Sequence, residues 1–202
     1  MGHRSDASAV GIIAPFRTFK RAEELGTKLG RAVAAGLAGL EVQKTRLGIE
    51  HTTARLPLKA YPPVPDMADA RESAFRELGR EPDSIAARQK YLFARIEEYY
   101  ASVSQGLPEL PVEITAVRIG DVGMVSIPGE AFHDVGAEIR AQSPFPLTLF
   151  LGLANDYIGY IPTDNANASL GYEVVASRVD RGAAAAFTEA AVTALNVLHR
   201  QV

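Results

Sequence analysis

Between residues 112 and 202 the spacing of apolar side chains switches repeatedly, and the order of those switches restricts the fold more than any other feature. Residues 112–119 and 122–127 alternate apolar and polar side chains, as half-buried strands do, with Gly120-Asp121 at the turn between them. Residues 130–142 take helical spacing, 147–153 form a short apolar run of the buried-strand type, and 183–202 return to a helix. In that last helix Phe187, Ala190, Ala191, Ala194, Leu195 and Leu198 share one stripe. The succession predicts an α/β fold, a mixed β-sheet covered by helices.

The upstream half adds a helix, a strand and a helical excursion. Over residues 21–40 Ala22, Leu25, Leu29, Val33, Leu37 and Leu40 recur at helical spacing. Gly26, Gly30, Gly36 and Gly39 suit close packing of that helix on a sheet, since Lys28 and Arg31 interrupt any membrane-type run. Residues 45–59 read as a strand with one exposed face. YPPVPD then ends regular structure, because three prolines in five residues remove donors and restrict their neighbours. A polar helix is expected from Met67 to about Arg80, and a second one, capped by Ser84, through Tyr100. This excursion, about 67–104, is read as lying over the surface.

Composition closes off several classes of function. The chain has 202 residues, with 47% hydrophobic and 22% charged, the balance of an ordinary globular protein. A net charge of -3 argues against a nucleic-acid surface, which needs a basic patch. No run of eighteen apolar residues offers a membrane span. The opening run MGHRSDASAVGIIAPF lacks the basic start and apolar core of a signal peptide. With no cysteine, disulfides, thiol catalysis and thiolate metal sites are all excluded, so any metal must sit on histidine, carboxylate or another oxygen donor.

Two stretches carry candidate chemistry. In VSIPGEAFHDVGAEI an apolar strand climbs to Pro128-Gly129 and meets Glu130 before helical spacing begins. A carboxylate in a helix's first turn is favoured by the macrodipole by roughly 0.3–1 kcal/mol. Alternatively Glu130 is aimed at a ligand, because open α/β sheets bind at the carboxyl ends of strands. His133, three residues on, shares a helix face with Glu130 in the Glu-x-x-His pattern of some metal sites. Its plainer reading, an exposed side chain beside Asp134, is preferred. In LANDYIGYIPT and Tyr172 three tyrosines crowd the region after the next strand, which ends at Asn155 and shares a rim with Glu130. His51 is expected on the surface and His199 in the last turn of the final helix, where a cation suits the dipole. No G-x-S-x-G, phosphate loop or paired-histidine zinc motif occurs.

The runs RIGDVGMVSIPGEAF, SPFPLTLFLGLANDYIGYIPT and GYE resemble the C-terminal part of the catalytic domain of the neutral/alkaline ceramidases. The helix RAEELGTKLGRAVAAGLAGL followed by TARLPLK is similar too, so the resemblance covers most of the chain from about Arg21 onward and implies that residues 1–202 are the C-terminal portion of such a domain. It implies a zinc amidohydrolase cleaving the N-acyl bond of ceramide, or a related N-acyl lipid, to fatty acid and sphingosine. It also implies roles: Glu130 and Tyr160 as zinc ligands, Tyr172 at the developing oxyanion, and Tyr157 as a second catalytic phenol or the alternative ligand. The family's two histidine ligands lie in an upstream H-x-H-type motif that nothing here matches. The zinc site is therefore expected to be incomplete in this chain, inactive without a histidine-bearing segment and prone to self-association. A shortened non-catalytic binding module and an amidase for a smaller substrate are the rival readings. Family members are often exported or membrane-associated.

Overall fold

The computed structural model describes residues 18–41, 44–168 and 171–201. Contacts divide the chain into two units, residues 1–45 and 46–202. In the first, α1 (Phe19–Leu37) is capped by Thr18, whose hydroxyl accepts from the Arg21 N–H at 3.1 Å. None of its residues is buried, and a Cβ at Gly26, Gly30, Gly36 or Gly39 would meet no atom within 4 Å. The packing expected of these glycines is thus not found among the described residues. The opening run read against a signal peptide lies outside them.

The second unit is α/β. Strand β1 (Leu47–Pro57) pairs antiparallel with β2 (Glu109–Ile119), and β2 pairs antiparallel with β3 (Val122–Ile127) across the Gly120 turn, where φ is 59°. Strand β5 (Leu147–Gly152) joins β3 in parallel, giving a mixed sheet in the order β1-β2-β3-β5. Between β1 and β2 the chain inserts two helices, α2 (Val64–Arg80) and α3 (Ile85–Ser104). Ser84 caps α3 as expected, accepting from the Ala87 N–H at 3.2 Å. Helix α2 begins earlier than the prolines suggest. Pro65 sits in its first turn, where a missing N–H is no loss because that donor has no helical partner anyway.

The core lies on one face of the sheet. Helix α6 (Ala183–Arg200) crosses β1 and β2 with Phe187, Leu195 and Leu198 fully buried, each contributing roughly 1.5–3 kcal/mol. Helix α4 (His133–Gln142) adds Val135 and Ile139 beside Val125 and Ile114. Gly123 is required there, since a Cβ would stand 2.6 Å from the Phe145 ring. On the opposite face Ile49, His51, Thr53 and Arg55 of β1 are exposed.

The helix expected to start at Glu130 starts at His133 instead. Glu130 and Ala131 form a two-residue strand, β4 (Glu130–Ala131), parallel to β6 (Tyr160–Ile161). The Glu130 N–H donates to the Gly159 carbonyl at 3.0 Å, and the Phe132 N–H to Ile161 at 3.1 Å, so the backbone here is already extended. Asp134, not Glu130, is the acid of the first helical turn. The capping reading of Glu130 is therefore overturned, and with it the placing of Glu130 and His133 on one helix face.

Candidate functional site

Gly129 decides where Glu130 goes. A Cβ on Gly129 would lie 2.4 Å from the Gly159 carbonyl oxygen, so only glycine lets β4 approach β6 this closely. Gly159 is equally constrained: its φ is +86°, and a Cβ would meet the Tyr100 hydroxyl at 2.8 Å. These two glycines, thirty residues apart, place Glu130 opposite Tyr160 in register.

Around that pair the structure gathers every tyrosine singled out from the sequence. The Tyr157 hydroxyl donates to Glu130 Oε1 at 3.4 Å, and Tyr160 stands opposite Glu130 in the strand register. The Tyr172 ring stands edge-on to Tyr160, centroids 6.0 Å apart. Tyr172 opens the short helix α5 (Tyr172–Val175) and keeps 38% of its surface exposed. Burial, then the Glu130 charge and hydrogen bond, push the Tyr160 phenol up to about 12. Tyr157 is raised by the same causes in the same order. At neutral pH both phenols stay protonated beside one carboxylate.

Because the folded pKa of Tyr160 exceeds its unfolded value of 10, the site holds its proton more tightly than the open chain does. The corresponding stability is complete below pH 10 and is lost as pH rises toward about 12. Phenolate absorbance is thus expected to show Tyr160 still protonated at pH 11, with its titration moved down in Glu130→Gln. An unchanged titration in that variant would contradict the contact.

Three supports were not legible in the sequence. Phe93 on α3 lies 6.4 Å, ring to ring, from Tyr172. Tyr100, on the same helix, donates to the Ala176 carbonyl at 3.1 Å, and Lys59 Nζ donates to Val174 at 2.5 Å. The helical insertion therefore buttresses α5 rather than merely lying over the surface. Only the two adjacent tyrosines, Tyr99-Tyr100, hinted at an aromatic inner face.

The remaining candidates lie elsewhere. His133 is exposed beside Asp134, its Nδ1 3.5 Å from Oδ1. His199 falls in the last turn of α6 against Phe145. His51 is exposed, and its Nδ1 faces both Thr115 at 3.2 Å and Glu113 at 3.8 Å. One ring nitrogen serving both neighbours makes no proton relay. Asn155 bonds Thr115 at 3.0 Å instead of reaching Glu130. His3 lies outside the described residues.

The donors at the rim are all oxygen: one carboxylate and the phenols. Among the described residues no three His, Cys, Asp or Glu side chains come together as a metal site. Carboxylate oxygen is among the donors that zinc accepts.

No protein-family model matches the sequence, and no curated protein matches it significantly. Among solved structures the chain is similar to the neutral ceramidase from Pseudomonas aeruginosa, at 18% identity and a TM-score of 0.54. That match covers 92% of this chain and 34% of the other, so the chain spans about a third of its neighbour's length. A ceramidase complexed with C2 matches over 46% of this chain and 15% of its own, at 23% identity and a TM-score of 0.42. The chain has the fold of part of a neutral ceramidase.

Proposed function

We propose that this chain is the C-terminal part of a ceramidase-like catalytic domain and supplies half of a zinc site for N-acyl amide hydrolysis. The observation that carries the reading is the Glu130–Tyr160 register, with Tyr157 and Tyr172 against it, inside a ceramidase-type fold. Ceramide or a related N-acyl lipid is the substrate this reading favours. Water adds to the amide carbonyl, the C–N bond breaks, and the amine leaves with a proton.

Glu130 and Tyr160 would hold the ion, with two histidines from outside this chain completing its shell. Bound zinc would polarise the carbonyl and acidify a water. The chain's own residues do the rest. Glu130 supplies the negative charge and fixes two phenols around it. Tyr160 keeps its proton until a cation faces it, since a bound metal reverses the local charge balance. Tyr172, partly exposed beside Tyr160, donates a hydrogen bond to the carbonyl oxygen as negative charge develops there.

The test uses a fluorogenic N-acyl sphingosine and the purified chain. Alone, the chain is expected to show no turnover above background. Mixed with the part of the P. aeruginosa enzyme outside the matched third, it is expected to show zinc-dependent turnover. Zinc-dependent hydrolysis by the chain alone would contradict the reading.

A further inference from the structure

Ala176, the buried residue that closes α5, is where the elements carrying three tyrosines meet. A buried carbonyl must find its donors within the protein. That of Ala176 accepts the Tyr100 hydroxyl of α3 at 3.1 Å and the Tyr160 N–H of β6 at 3.5 Å. The Ala176 N–H in turn donates to the Tyr172 carbonyl at 2.7 Å. One residue thus ties the strand of Tyr160 and the helix of Tyr172 to the helical insertion. Next to it, Gly159 and Ser177 form an antiparallel bridge. Of the two donors to the carbonyl the hydroxyl is the nearer, and the Tyr160 bond is close to the outer limit for a useful one. The aim of the carbonyl therefore depends on Tyr100.

Packing around the hydroxyl points the same way. Gly159 is buried, and a Cβ there would stand 2.8 Å from the Tyr100 hydroxyl and 3.0 Å from the Ala176 carbonyl oxygen. The hydroxyl thus takes up the space that a side chain at Gly159 would need. Phe93, about two turns before Tyr100, shares its face of α3 and meets the Tyr172 ring. Helix α3 therefore grips α5 at its first residue and again at its cap. We infer that Tyr100 is a positioning residue: through the Ala176 carbonyl its hydroxyl fixes Tyr160 and Tyr172 relative to one another. What the two phenols then do rests on the proposed function, but their coupling through Tyr100 does not.

The experiment is Tyr100→Phe in the full chain without zinc, which keeps the ring and removes the hydroxyl. Amide hydrogen exchange at Tyr160 and Ala176 is expected to quicken about tenfold relative to Ile114 in the core of β2. Tyr99→Phe, at the exposed neighbouring ring, is the control and should change neither. The cycle with Gly159→Ala is a second, independent measurement. Phe vacates the space beside Gly159, so the fall in melting midpoint caused by Gly159→Ala should be smaller in Tyr100→Phe than in the parent. In the reconstituted mixture at saturating zinc, Tyr100→Phe should lower kcat roughly tenfold and leave KM in place, because a displaced Tyr172 hydroxyl is missed only in the transition state. Unchanged exchange at Tyr160 overturns the inference. So do midpoint losses that add in full, or a kcat equal to the parent's in an active mixture. Local loosening in Tyr100→Phe together with a parent mixture that shows no turnover supports the coupling and sinks the functional reading instead.

Discussion

Glu130→Gln is expected to lower amide hydrolysis by the reconstituted complex on the order of a thousandfold, as removal of a key electrostatic contact does. Gln keeps the size and shape of the side chain but not its charge. It therefore cannot neutralise a cation or accept a charge-assisted bond from the Tyr157 phenol. Stability should hardly move, because Glu130 is only partly buried and its contacts are with exposed or half-exposed side chains. Substitutions of that kind usually stay within about 0.5 kcal/mol. The check pairs kcat with a thermal melt. A modest, less than tenfold loss of kcat with an unchanged melt would remove Glu130 from the site.

Gly129→Ala should act the opposite way, through the fold first. The added Cβ would lie 2.4 Å from the Gly159 carbonyl oxygen, a backbone atom that no rotamer change can move. Overpacking of this sort costs about 1–3 kcal/mol. Stiffening the unfolded chain returns only about 0.4–1 kcal/mol, so the net effect is destabilising. For a chain of this size each kcal/mol lowers the melting midpoint by roughly 2–4 °C. Separation of β4 from β6 should also release Tyr160 from Glu130 and bring its titration back toward 10. Gly152→Ala is the control, since the nearest atom to its Cβ would be 3.9 Å away. A melt and a phenol titration in Gly129→Ala that match the parent would show that the close approach does not hold the rim together.

The parts of this molecule that were legible in the sequence share a physical cause. Strands β1 and β2 bury one face only, so their period of two survives in the residue order, and α6 writes its buried stripe the same way. The rim residues Glu130, Tyr157, Tyr160 and Tyr172 were found through motifs, and all four come together. What stayed hidden depends on contacts between distant positions. The extended backbone of Glu130 is set by Gly129 meeting Gly159, a pairing that no local pattern announces. Helical spacing over 130–142 was real, but its first three residues were claimed by β6. Likewise, α3 looked amphipathic and superficial because Phe93 and Tyr100 find their partners some eighty residues away, at Tyr172 and Ala176.

The central claim, that Glu130 and Tyr160 form half of a zinc site, is tested most directly by calorimetric titration of zinc into the isolated chain. Two oxygen donors leave a borderline cation poorly satisfied. The expected result is binding no tighter than about micromolar, weakened further in both Glu130→Gln and Tyr160→Phe. Binding in the nanomolar range that persists in both variants would contradict the account, because the ion would then be held by other residues altogether.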